Sequence, residues 1–357
     1  MELNDLFLLF HNIFAKIFES HFWSLKALGI MESVVKAAVL FAFVYLGSFF
    51  IYIWEKVTLK ERENHNKHWI SLSFICFFKG VIVFTGMLFR GKLLPRFVGR
   101  ITYACFTVAA FVCLFLINAA IPFGKDLVAY NSQLGVLYIL PLLFLVGLLK
   151  NYSILLEEQY NKKDQNIFGE SLLSGQLTLF LSIIPVVFLT DSINIVSIVS
   201  AQQGFIFKYI PQWIIFYPLI GQLSFIIFTL SCLMIYYQLS NGGANKISRN
   251  NFINSMRYES FASINHPGFF PYLNQYVFVF TVSGLAVALF FGGGQGPVFG
   301  SSIWFVIKMF CVASFLSWIN IKLIDLRIKN LFKYYWKGII PLAFINFILC
   351  CLGHIIK

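Results

Sequence analysis

Chemistry in a chain this apolar has few places to reside. Ionisable side chains inside long apolar runs come first, because each is costly to hold there. Three qualify: Glu55 at the end of the run 37–54, Lys79 inside "WISLSFICFFKGVIVFTGMLF" (residues 69–89), and Lys308 in the run 303–321. No Asp or Glu lies within the core of any such run. The polar residues left there, Gln176, Gln222, Asn274, Gln275 and Tyr276, cannot form a proton relay unaided and suit hydrogen bonds between helices. His65 and His68 stand at i, i+3 beside Glu61 and Glu63 and could offer metal ligands on a helix, but a solvated charged loop is the simpler reading and no metal site is expected. The seven cysteines, Cys76, Cys105, Cys113, Cys232, Cys311, Cys350 and Cys351, show no ligand spacing and read as small core residues. "FFGGGQGPVFG" (290–300) follows an apolar run and opens no βαβ unit, so it is a tight turn and not a phosphate loop. Serine-nucleophile motifs, paired carboxylates and base-stacking stripes are missing, so no catalytic residue is assigned and a hydrolase, transferase or nucleic-acid binder has no support.

The elements that must position these groups follow from composition. Of 357 residues, 59% are hydrophobic and 12% charged, with 43 Phe, which marks an integral membrane protein. A bilayer core of about 30 Å takes roughly 20 apolar residues of helix, since lipid offers the backbone no partner. Eight runs meet this need: 37–54, 101–123, 134–149, 172–190, 214–236, 269–291, 303–321 and 339–356. The expectation is an all-α membrane protein of about eight transmembrane helices, with residues 1–36 as an N-terminal interfacial segment and 37–357 as one polytopic helical domain. Residues 6–18 are too short to span and suit an interfacial helix. The opening "MELNDLFLLF" is acidic and lacks the basic start and cleavage site of a signal peptide, so a retained N-terminus is expected.

Charge sets the orientation. The formal net charge is +12, and its Lys and Arg gather in alternate connections. Lys56, Lys60, Arg62 and Lys67 precede the run 69–89, and Arg90, Lys92, Arg96 and Arg100 follow it. A crossing there would divide the cluster and bury Lys79 at a cost of roughly 2.5 to 3.5 kcal/mol, so this run is expected to be a non-spanning helix on the inner side. Lys150, Lys162, Lys163, Lys246, Arg249, Arg257, Lys322, Arg327, Lys329, Lys333 and Lys337 then fall on the same face. The opposite connections carry only Lys125 beside Asp126, and Lys208. This positive-inside pattern puts both termini on the outer side. Near the N-terminus, Lys16, Lys26 and Lys36 run against it, offset by Glu19 and Glu32. The inner segment 238–268 is long and polar, with Glu259 as its single acid. No internal repeat points to an alternating-access transporter.

The last third of the chain resembles the quinone-site membrane subunit of respiratory complex I, called subunit 1 in mitochondria and the H subunit in bacteria. "VALFFGGGQGP" is similar to the family's helix ending in a Gly-Gly turn and Pro, and "WFVIKMF" to its span with one lysine, here Lys308. "WINIKLIDLRIKNLFKYYWKGIIPLA" resembles the inner loop before the final span, through Trp318, Arg327, Leu331, Trp336, Lys337 and Pro341. Upstream, "NSQLGVLYIL" resembles the start of the third span, the Ile-Trp-Glu-Lys-Val around Glu55 the Glu-Arg-Lys that closes the first, and Lys79 a lysine of the inner amphipathic helix. The departures are acids. The family carries a glutamate in its fourth span, where Leu181 stands, and a Glu-Tyr in its sixth, where Gln275 and Tyr276 stand. Its acidic inner loop is replaced by "LSNGGANKISRNN", leaving Glu259, and an Arg near Leu172 and Leu173 is absent.

The resemblance implies a divergent membrane subunit of proton-pumping NADH:quinone oxidoreductase in a bacterial or mitochondrial inner membrane. Such a subunit shapes the quinone chamber and meets the hydrophilic arm. Quinone enters as substrate, other complex I membrane subunits and the quinone-site hydrophilic subunits are partners, and iron–sulfur or flavin centres belong to those partners. Glu55, Lys79, Glu259, Arg327 and Lys337 are the candidates for the chamber or for docking the arm, and Leu181, Gln275 and Tyr276 mark a degenerate proton path. Charged side chains at snorkelling depth explain Arg327 and Lys337 equally well. The alternatives are a structural subunit that has lost the proton-path acids and an unrelated small-molecule transporter. No catalysis is expected of this chain alone.

Overall fold

The computed structural model describes residues 29–60, 97–124, 133–155, 162–206, 210–241, 269–296, 300–325 and 335–356. Residues 1–28 of the N-terminal segment, Lys79 and its non-spanning run, His65, His68, Glu259 and Arg327 lie outside them, whereas residues 29–36 of that segment are the start of the first helix. The helices are α1 (Gly29–Lys60), α2 (Phe97–Ala120), α3 (Gly135–Leu155), α4 (Lys162–Thr190), α5 (Ile195–Ala201), α6 (Ile220–Asn241), α7 (Phe269–Phe290), α8 (Ser301–Asp325) and α9 (Ile340–Ile356).

Helix α7 is the hub. It is predominantly apolar and wholly buried from Leu273 to Phe290, its few polar residues included. Around it pack α1, α2, α6 and α8 along its length and α5 at one end. Its small residues let those neighbours approach, and its hydroxyls bond back to their own helix: Thr281 to the Val277 carbonyl and Ser283 to that of Val279, both at 2.7 Å. Helix α3 lies on α2, and α4 joins α6 to α9 at the periphery. Phe41, Phe50, Ile345, Ile348 and Leu352 point outward from α1 and α9, a surface that suits lipid and not water.

Among the described residues, three stretches are long and apolar enough to cross a membrane alone: Val35–Glu55, Leu273–Phe290 and Ser301–Lys322. A fourth is the pair Ser174–Thr190 and Ile195–Ala201, bent by 58°. Shorter apolar helices fill Cys105–Ala120, Gly135–Leu149, Ile220–Tyr236 and Lys337–Gly353. Each expected run therefore overlaps one of these helical stretches, and the chain is a multi-pass helical membrane protein.

The differences from expectation lie at the ends. Helix α1 starts at Gly29 and α4 at Lys162, earlier than the apolar runs that they contain. The run expected from residue 214 begins as a 3₁₀ turn, Ile214–Phe216, and Pro218 with Leu219 at φ 63° delays α6 to Ile220. A two-stranded antiparallel ribbon, β1 (Phe205–Ile206) with β2 (Ile210–Pro211), departs from a purely helical fold. It belongs to the cap formed after α4, where Asp191 takes φ 49° and the Asn194 side chain accepts from the Val196 amide at 2.9 Å to start α5.

Candidate functional site

Helices α1, α6 and α8 end where α7 begins, and their last turns enclose a buried polar cluster. Glu55 on α1 is 2% exposed. The Tyr236 hydroxyl on α6 donates to its Oε2 at 3.0 Å, and Tyr276 on α7 directs its hydroxyl at the same carboxylate. The Tyr52 ring meets Tyr276 edge-on, with centroids 5.3 Å apart. A carboxylate taken out of water requires donors, and phenols provide them without adding charge.

The rest of the cluster is less settled. Gln275 and Ser317 flank the Tyr236 hydroxyl, and Asn320 follows Ser317 by one helical turn on α8. All three are buried, yet Gln275 Nε2, Ser317 Oγ and both amide atoms of Asn320 reach no partner. Each such atom costs about 1–3 kcal/mol if nothing meets it, so the set marks a place for water or for the polar part of a ligand. The neighbouring Asn274, by contrast, donates to the Thr107 carbonyl at 2.8 Å and ties α7 to α2.

A second polar cluster lies at the same end. Thr178 on α4, Ser231 on α6 and Tyr335 form a closed set of hydroxyls: Ser231 donates to Thr178 Oγ1 at 2.8 Å, Tyr335 to Ser231 at 3.0 Å, and Tyr335 also meets Thr178. Tyr335 begins a π-helical turn, Tyr335–Ile339, which leads into α9 and leaves Lys337 exposed. Such turns recur at functional sites because they re-aim side chains.

The sequence candidates thus separate. Glu55, Gln275 and Tyr276 come together; Lys337 lies exposed beyond the hydroxyl set. Leu181 packs apart, in an apolar cluster with Ile227 and Ala343. Lys308 belongs to the opposite end, where its ammonium meets the carbonyls that follow α7. Of the residues expected to bond between helices, Gln176 reaches the Leu143 and Phe144 carbonyls at 3.3 and 3.2 Å, whereas Gln222 is exposed. Cys113, Cys232 and Cys350 are buried; Cys105 and Cys311 are exposed, which corrects the reading of all as core. Among the described residues no group of three His, Cys, Asp or Glu could hold a metal.

Tyr236, Ser317 and Asn320 escaped the sequence reading. Ser317 and Asn320, two polar residues at i, i+3 in an apolar run, were the available signal.

Residues 260–351, which include Gln275, Tyr276, Ser317, Asn320, Arg327 and Lys337, match the NADH dehydrogenase family. Over 270 residues the chain is 27% identical to the H subunit of NADH-quinone oxidoreductase from Dehalococcoides mccartyi (strain CBDB1), a match spanning 74% of this chain and 70% of that one. The second H subunit (H 2) of the same enzyme from Syntrophobacter fumaroxidans (strain DSM 10017 / MPOB) is 29% identical over 245 residues, 65% of this chain and 68% of its own. A chain in the structure of the membrane-bound sulfane sulfur reductase (MBS), an archaeal respiratory membrane complex, shares the fold. The TM-score is 0.65 at 17% identity, over 89% of this chain and 99% of that one. Fold and sequence together define a multi-pass membrane protein related to the NADH dehydrogenase family. Within that class, its similarity is to the H subunit of NADH-quinone oxidoreductase, from which it diverges over most of its positions.

Proposed function

We propose that the chain is a membrane subunit of a quinone-reducing respiratory complex, crossing the membrane eight times with both termini outside. Its Glu55 end helps to wall the quinone chamber and meets the hydrophilic arm. The observation that carries this reading is the buried Glu55 carboxylate, bonded by Tyr236, with Gln275 Nε2 and Ser317 Oγ, buried beside that hydroxyl, reaching no hydrogen-bond partner. A quinone head carbonyl accepts hydrogen bonds of the kind that Gln275 and Asn320 amides offer. Its apolar tail needs aromatic walls, which Phe49 and Tyr52 supply beside Glu55. Lys337, exposed at this end, has the sign and position to dock an arm, and Lys79, Arg327 and Glu259 are assigned to the same inner face by their connections. The chain holds no cofactor in this scheme; electrons arrive from iron–sulfur and flavin centres in partner subunits. The membrane is a bacterial or mitochondrial inner membrane.

A second reading keeps the fold and drops proton conduction. Leu181 sits among Ile227 and Ala343, and Gln275 has the shape of a glutamate without its proton. Restoring glutamate at Gln275 in an active complex is expected to raise the proton-to-electron ratio on this reading, and an unchanged ratio would count against it. The quinone assignment is tested with a photoreactive quinone on the isolated complex. Cross-links are expected at the α1 and α7 ends around Glu55 and Tyr276, and their confinement to the lipid-facing side of α9 would rule the assignment out.

A further inference from the structure

The end of the bundle opposite Glu55 is built differently. Lys308 rises from α8 and spends the three hydrogens of its ammonium on the carbonyls of Phe291, Gly293 and Gln295, at 2.8, 3.0 and 2.7 Å. The Trp213 ring covers the same nitrogen, 4.0 Å from the centroid, and its indole N–H donates to Gln295 Oε1 at 3.1 Å. Gly292 and Gly293, at φ 65° and 58°, make the turn that points those carbonyls inward. Gln202, 1% exposed, completes the clamp. Its amide nitrogen donates to the Ala288 and Leu289 carbonyls, and its oxygen accepts from the Gly292 and Ile214 amides. Two of the last carbonyls of the hub helix, Ala288 and Leu289, are therefore occupied by Gln202, just past α5, and three in the turn that follows by Lys308 of α8. A water file needs polar atoms with spare valence. The cluster at Glu55 has them, and here Lys308 and Gln202 spend theirs on backbone groups.

We infer that the Lys308 clamp is a one-sided seal: a fixed cation, half-buried among carbonyls, which bars water and cations from entering the bundle opposite Glu55. Other membrane pores exclude protons with a fixed Arg or with helix-dipole ends in the same manner. The polar site at Glu55 is then reachable only from its own end, whatever chemistry it performs. This holds independently of the quinone assignment.

The test uses the full chain, with whatever subunits co-purify, in liposomes loaded with a pH-sensitive dye, and reads passive proton flux under an imposed potassium diffusion potential. Lys308→Met keeps the unbranched stem one atom shorter and removes the charge. It is expected to raise the flux on the order of tenfold, the scale set by losing one cation a few ångströms from the path. Hydrogen exchange at residues 286–295 is expected to quicken in the same variant. Should Lys308→Met not fold, Lys308→Gln keeps two donors and gives the same readings. A folded variant with wild-type flux would overturn the seal. So would rapid exchange at residues 286–295 in the unmodified protein, a reading that needs no variant.

Discussion

Tyr236 and Asn320 illustrate two opposite ways in which a buried polar residue can matter. Tyr236 donates to Glu55 Oε2, so Tyr236→Phe leaves a buried carboxylate short of a donor. The expected cost is about 1–3 kcal/mol, read as a lower thermal midpoint of the detergent-solubilised chain. Asn320 has two amide atoms with no protein partner. Asn320→Leu removes that unmet demand at similar volume, and the thermal midpoint is expected to stay or rise while quinone reduction by the assembled complex falls several-fold. A drop in both would mean that the amide is held by direct bonds. At this scale the sequence was partly legible. Glu55 was visible as an ionisable group closing an apolar run, and Gln275 and Tyr276 as polar residues inside one. That Tyr236 and Asn320 join them depends on how α6 and α8 are rotated against α7, which no local pattern encodes.

Helices were the most legible feature, because lipid demands long uninterrupted apolar segments and the chain supplies them. The breaks were not read. Pro218 was there to be seen, but the positive φ of Asp191 and the π-helical turn at Tyr335–Ile339 answer to tertiary contacts. Between helices, polar side chains do the tying. Gln176 crosses over Gly147 to reach the α3 carbonyls, and a Cβ at position 147 would collide with its amide. Gly147→Ala is expected to part α3 from α4 and cost about 1–3 kcal/mol, measured by thermal unfolding in detergent. Tyr335→Phe opens the hydroxyl set with Thr178 and Ser231. Pairs of this kind average about 0.6 kcal/mol in membranes, so the loss should be small in stability. Protease cleavage at the Tyr335–Ile339 turn is expected to rise more clearly, since the hydroxyl set holds the first residue of that turn.

The whole molecule is polarised. One end gathers Glu55, partnerless amides and exposed Lys337; the other closes on Lys308 with its carbonyls filled. The resemblance to the complex I subunit was drawn from motifs in the last third, and residues 260–351 match the NADH dehydrogenase family over the same stretch. Of the two positions where the resemblance implied an acid, Leu181 lies in apolar packing and Gln275 in the polar cluster beside Tyr236. Leu181→Glu is therefore expected to destabilise the chain by several kcal/mol, because Ile227 and Ala343 give a carboxylate nothing to bond. Gln275→Glu, beside the Tyr236 hydroxyl, is expected to fold, as comparison of the two variants by size-exclusion profile and thermal midpoint will show. The most direct measurement is isolation of the native assembly in mild detergent through a tag on this chain, with identification of every co-migrating protein. The account predicts iron–sulfur and hydrophilic-arm subunits in the same particle, with quinone reductase activity that falls in Glu55→Gln. A chain that purifies alone, stable and active in solute uptake, would contradict it.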